Sequence, residues 1–142
     1  MVKNAQRLAQ RFIERGYDVV SGGTDKHLLL IDMRSKKLSG RNPAKALDQA
    51  GIIMNRNSVP NETGSPMNPS GLRMGTPTIT TRGMKEKEMD KIAEWVDYVI
   101  KVVAPDCDLR PAEFEEKIKK MPELRKIAAE VKSLCRKYPL NI

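Results

Sequence analysis

A chain of 142 residues, 39% hydrophobic and 31% charged, has the length of one domain and an ordinary globular composition. One histidine and two cysteines without CxxC spacing, Cys107 and Cys135, argue against a zinc site and against a Ser-His-Asp triad inside the chain. A formal charge of +8 raises nucleic acid as a partner, but the basic residues are spread among acids and only 4% of residues are aromatic, which disfavours it.

Val2, Ala5, Leu8, Ala9, Phe12 and Ile13 recur at helical spacing, and Gly16 stands where a C-terminal cap belongs. This helix starts at once, with no capping residue ahead of it, which suggests a piece cut from a longer parent. Residues 17–21 then read as a short strand ended by Gly22 and Gly23. A second strand is predicted over 27–33. Its run of Leu28, Leu29, Leu30 and Ile31 is too continuous for a half-exposed edge and predicts cover on both faces. Asn42 before Pro43 predicts a cap and the first position of a short helix over 42–50, closed by Gly51. Ile52, Ile53 and Met54 are expected to form a third strand.

Residues 55–83 have no apolar period of their own, hold four of the nine prolines and keep few charges in their second half. A loop of this length inside a domain is usually functional or disordered. Leu72, Met74 and Ile79 give it apolar anchors, so order is expected, with 72–74 as an extended piece paired with another strand. Asn61-Glu62-Thr63 matches a glycosylation sequon, read as incidental. Beyond the loop, Met89, Ile92, Ala93, Val96, Val99, Ile100 and Val103 mark a long amphipathic helix, with Trp95 beside that face as packing. After a break at 104–108, Phe114, Ile118 and Met121 give one helix, and Pro122 opens another carrying Leu124, Ile127, Ala128, Val131, Leu134 and Cys135. The order α-β-β-α-β-loop-β-α-α predicts an α/β (α+β) two-layer sandwich: a small, mostly antiparallel sheet with helices packed on it.

Gly22-Gly23 and Gly71/Gly75 fit no phosphate-cradling spacing and read as turn glycines. Asp25, Lys26 and His27 cluster at a strand mouth, where His27 is more simply structural. Arg73 is the polar residue that stands out, between Leu72 and Met74 in SGLRMGTP. A guanidinium on a short extended segment flanked by glycines suits a carboxylate held by two parallel hydrogen bonds. An internal ion pair with an Asp or Glu is the equal alternative from spacing alone.

Taken together, Ser21-Gly-Gly-Thr-Asp25 with His27-Leu28, Leu30-Ile31-Asp32, Asn55-Arg-Asn-Ser-Val-Pro60, Ser65-Pro66, Ser70-Gly-Leu-Arg-Met-Gly-Thr-Pro77 and Thr81-Arg-Gly83 resemble serine hydroxymethyltransferase. The resemblance is to its C-terminal domain, the small domain of a fold-type I pyridoxal-phosphate enzyme. It covers roughly residues 1–103 and fades in the helical tail, giving domains at 1–104 and a packed helical extension at 105–142. It implies a pyridoxal-phosphate-dependent interconversion of serine and glycine with tetrahydrofolate as co-substrate. It implies further that Arg73 binds the substrate carboxylate, that Asn57 contacts the folate pteridine, and that Ser65, Pro66 and Met67 line the folate site. Met67 stands where phenylalanine is usual and Lys26 where asparagine is usual.

The family's cofactor lysine and phosphate-binding loop belong to the larger preceding domain. The expectation is therefore no catalytic, cofactor-binding or metal-binding residue in this chain and no turnover by it alone. The implied parent is a cytoplasmic homodimer or larger assembly without membrane contact, since no apolar run approaches the roughly 18 residues of a span and no signal peptide is seen. Two other readings stand beside it: a basic nucleic-acid-binding module, and an interface domain that self-associates when isolated.

Overall fold

Burying the stripe of Leu8, Ala9 and Phe12 sets helix α1 (Val2–Glu14) against helix α3 (Glu86–Val103), whose Met89, Ala93, Val96 and Ile100 fill the other side of the seam. The computed structural model describes residues 2–20, 28–36, 38–52, 54–59, 62–63, 69–75, 84–107 and 109–137. Gly16, at φ +86°, turns the chain out of α1 in the left-handed region that glycine enters at no steric cost.

Four strands follow the order β1-β2-β4-β3, each antiparallel to its neighbour: β1 (Asp18–Val19), β2 (Leu28–Asp32), β3 (Asn55–Asn57) and β4 (Gly71–Gly75). Val19, Leu29, Ile31, Leu72 and Met74 point to one face and join the core beneath the helices. Helix α2 (Arg41–Gln49) packs on α3 from the same layer. Helices α4 (Pro111–Lys119) and α5 (Pro122–Lys137) close around α2, sinking Phe114, Ile118, Leu124 and Ile127 into the same core. The two-layer α/β architecture expected from the sequence is therefore present, with helices on one face of a small antiparallel sheet.

Four local expectations differ. The third strand is Asn55–Asn57, not 52–54: Ile52 and Met54 pack on the core as a connection, and pairing begins where the polar residues begin. Asn42 does not cap α2. The helix starts one residue earlier with Gly40 ahead of it, and Asn42 is buried, its amide donating to the carbonyls of Cys107 at 2.9 Å and Leu109 at 3.1 Å. Strand β2 is central, as its apolar run suggests, but Leu30 on its far face is only half buried, so helices cover one face alone. The first strand is also shorter than expected, two residues where 17–21 was read.

Buried polar groups brace the helical layer. The Tyr17 hydroxyl donates to Asp97 at 2.7 Å, and Arg15 and Lys101 donate to its other oxygen at 3.0 and 3.1 Å. Burial pushes the Asp97 carboxyl up, but the bonds from Tyr17, Lys101 and Arg15 outweigh it and hold the group below its ordinary range. Burial, then the bond to Asp97, pushes the Tyr17 phenol far up. At the N-terminal end of α3, Glu88 accepts the Lys85 N–H at 3.3 Å, satisfying one of the orphan donors of a helix start.

Candidate functional site

Alternation along β4 decides where Arg73 goes. Leu72 and Met74 are buried against the helices, so the residue between them faces the opposite side of the sheet, where Arg73 is exposed. Directly across from it stand Leu30 on β2 and Asn55 on β3. The next row on the same face is Asp32, Gly71 and Asn57. Arg73 and Asn57 are thus diagonal neighbours on adjacent strands, a relation that separates Cα atoms by about 7–8 Å.

Among the described residues Arg73 makes no hydrogen bond and no ion pair. Asp32, the carboxylate nearest in register, is engaged elsewhere. Its oxygens accept from the Arg34 guanidinium at 2.7–3.1 Å and from the Arg34 backbone N–H at 3.0 Å. Those bonds from Arg34 hold Asp32 below the usual carboxylate range against the effect of burial. Of the two readings of Arg73, the described residues offer no internal partner, and a forked cation facing outward remains.

Asn57 is half buried, with its amide donating to the Ser58 carbonyl at 2.9 Å, which leaves its side-chain oxygen for other partners. Ser65, Pro66 and Met67, and the group Asp25, Lys26 and His27, lie outside the described residues. One residue that sequence reasoning missed is Glu62. Its carboxylate accepts from the Ser70 N–H at 2.7 Å, the Ser70 hydroxyl at 2.6 Å and the Val59 N–H at 3.3 Å, tying together the two ends of the β3–β4 connection. In the sequence it is only the middle of a sequon, with no periodic signal to mark it.

Two clefts among the described residues lie elsewhere. One of about 340 Å³ sits between α3 and α5, walled by Trp95, Asp97, Lys101 and Ile127, on the helical layer away from Arg73. Two of its acids are paired, Asp97 as above and Glu94 with Lys91 at 3.6 Å, while Glu130 also lines it, and Trp95 is buried packing with Lys91 over its ring. A smaller one of about 270 Å³ lies beside β3, between Arg41, Lys45, Met54 and Arg56. Neither holds a group of three metal-ligating side chains, and none occurs among the described residues. No helix among the described residues is long and apolar enough to cross a membrane.

A family model described as serine hydroxymethyltransferase matches residues 1–96. The chain belongs to the serine hydroxymethyltransferase family. It is 43% identical over 140 residues to a serine hydroxymethyltransferase of Halorhodospira halophila (strain DSM 244 / SL1), covering 99% of this chain and 30% of that protein. It is 43% identical over 139 residues to a serine hydroxymethyltransferase of Acidothermus cellulolyticus (strain ATCC 43068 / DSM 8971 / 11B), covering 98% of this chain and 30% of that protein. The similarity therefore runs through the helical tail, where the sequence motifs had faded. The chain spans about 30% of the length of these curated relatives, so this serine hydroxymethyltransferase segment carries only part of what the relatives carry.

Proposed function

We propose that this chain supplies the substrate-carboxylate arginine and part of the folate site of a serine hydroxymethyltransferase, working on serine, glycine and tetrahydrofolate in the cytoplasm. The observation that carries this reading is Arg73: exposed, without a partner among the described residues, and rigidly placed on a central strand. A guanidinium already paired inside the domain would have to break that pair to bind substrate. Arg73 has no such pair among the described residues, and its two parallel N–H groups match a carboxylate. Asn57 lies on the same face, and on this reading it contacts the second substrate, with Ser65, Pro66 and Met67 as further folate contacts.

Pyridoxal phosphate, when bound, supplies an electron sink for carbanion chemistry at the amino acid. On this reading its covalent anchor and its phosphate contacts belong to the remaining part of the enzyme, a homodimer or larger, against which the sheet face bearing Arg73 closes. What this chain does is bind and orient: Arg73 fixes the carboxylate end of the amino acid, and closure over the face excludes water from the charge pair, strengthening it. By itself the chain is expected to convert no serine to glycine.

The test joins this chain to the complementary part of the Halorhodospira halophila relative. Arg73→Ala removes two charge-assisted bonds worth roughly 1.5–3 kcal/mol each, so the serine KM should rise by about a hundredfold or more. The tetrahydrofolate KM should move far less. Serine kinetics within about twofold of the unsubstituted chimera would reject the assignment.

A further inference from the structure

We propose that Glu62 is a positioning residue that sets the spacing between Arg73 and Asn57. This rests on reading those two as the amino-acid and folate contacts. One oxygen of Glu62 accepts from both the Val59 and Ser70 N–H groups, at 3.3 and 2.7 Å, and the other accepts from the Ser70 hydroxyl at 2.6 Å. Val59 follows the last residue of β3 by two positions, and Ser70 immediately precedes β4. A single side chain thus closes the connection between the strand that carries Asn57 and the strand that carries Arg73.

The two strands are not equally secured. β4 is central, paired with β2 at five positions from Leu28↔Gly75 to Asp32↔Gly71. The chain just before it is pinned as well: the Ser70 carbonyl accepts from the Met33 N–H at 2.9 Å and the Pro69 carbonyl from the Gly40 N–H at 2.8 Å. β3 is an edge strand, paired with β4 at three positions. Among the described residues, beyond that pairing and the packing of buried Val59, the Glu62 bonds are what fasten its outgoing end. Losing them releases Asn57 more than Arg73, so the effect falls on one substrate and not on both.

Two measurements test this. In the enzyme assembled from this chain and its complementary part, Glu62→Ala should raise the tetrahydrofolate KM about tenfold or more, the equivalent of one buried bond lost. The serine KM should stay within about threefold. Glu62→Gln keeps the oxygen that serves Val59 and Ser70 and can donate an N–H to the Ser70 hydroxyl, so it should restore most of the loss.

In the 142-residue chain itself, Glu62→Ala should speed amide exchange at Val59 and along β3 while the β2–β4 amides keep their protection. An equal rise in both KM values, an unchanged tetrahydrofolate KM, unchanged exchange at β3, or a Gln variant as damaged as the Ala variant would each overturn the proposal. An Asn57→Ala control separates the two claims. If it leaves the tetrahydrofolate KM unchanged, the reading of the site fails; if it raises that KM while Glu62→Ala changes neither KM, only the positioning role fails.

Discussion

A Cβ atom placed on Gly71 would lie 2.5 Å from the Asn57 carbonyl oxygen, closer than any side chain tolerates. The same Cβ would meet Val59 at 2.7 Å and Leu30 at 2.9 Å, so three elements crowd onto that one glycine. Gly71→Ala should therefore push β3 off β4, because β4 is held on its other side and the edge strand is the part that can move. The expected cost is roughly 1–3 kcal/mol in urea unfolding, with faster amide exchange on β3 than on β2. A variant of unchanged stability with β3 still protected would contradict this.

Tyr17 and Asp97 form a second testable pair, joining the end of α1 to α3 across 80 residues of sequence. Asp97→Ala leaves the Tyr17 hydroxyl buried without an acceptor and should cost about 3 kcal/mol. Tyr17→Phe, which removes the donor alone, should cost about 1 kcal/mol. The double variant should cost less than the two added together, since both remove one shared bond. Strict additivity in a denaturant cycle would show that the bond contributes nothing.

A pH dependence follows from Asp90. Hydrogen bonds from Arg7, working against burial and reinforced by Arg11, pull its carboxyl down to about 2. The unfolded group titrates near the ordinary value of 3.8. The folded state thus binds the proton less readily, and the stabilisation is complete above about pH 4 and lost as pH falls towards 2. The pair is partly solvent-exposed, so the contribution after screening is about 1 kcal/mol or less. Asp90→Asn should remove that component of the acid unfolding curve and leave stability at pH 2 nearly unchanged. A variant that follows the parent's curve from pH 5 to 2 would refute it.

Phe114 tests the helical tail. It is fully buried in the core that also holds the sheet's Leu29 and Leu72. Phe114→Ala should cost about 3–5 kcal/mol, and near-ultraviolet and far-ultraviolet signals should lose stability together. If α4 and α5 melted first, leaving the sheet at its original midpoint, the shared core would not be cooperative.

Much of this fold was legible because burial writes a period into sequence. The stripes of α1, α3 and α5 and the buried run of β2 each announce themselves through apolar spacing, and Arg73 announces its direction by sitting between Leu72 and Met74. What was not legible lacks such a stripe. β3 is Asn-Arg-Asn on an edge, where pairing to β4 rather than side-chain burial makes the strand, so apolar Ile52–Met54 attracted the assignment instead. Asn42 looked like a cap because its local sequence is that of one. Its amide is spent on carbonyls more than sixty residues away, a contact no window can reveal. Glu62 was hidden for the same reason: its partners are backbone groups, which every residue possesses.

Asn42 carries a consequence for how the tail is retained. Its amide is a buried donor set in the first turn of α2, and both acceptors belong to the turn that launches α4. A chain ending at Ala104 would leave that donor facing a vacancy too apolar to hydrate it well, beside the hole left by Phe114. The penalty would land on α2, the helix that abuts β3 and so underlies Asn55 and Asn57. Trimming the far end of the molecule would therefore be felt first in the strand bearing Asn57, as a rivet drawn from one plate loosens the next.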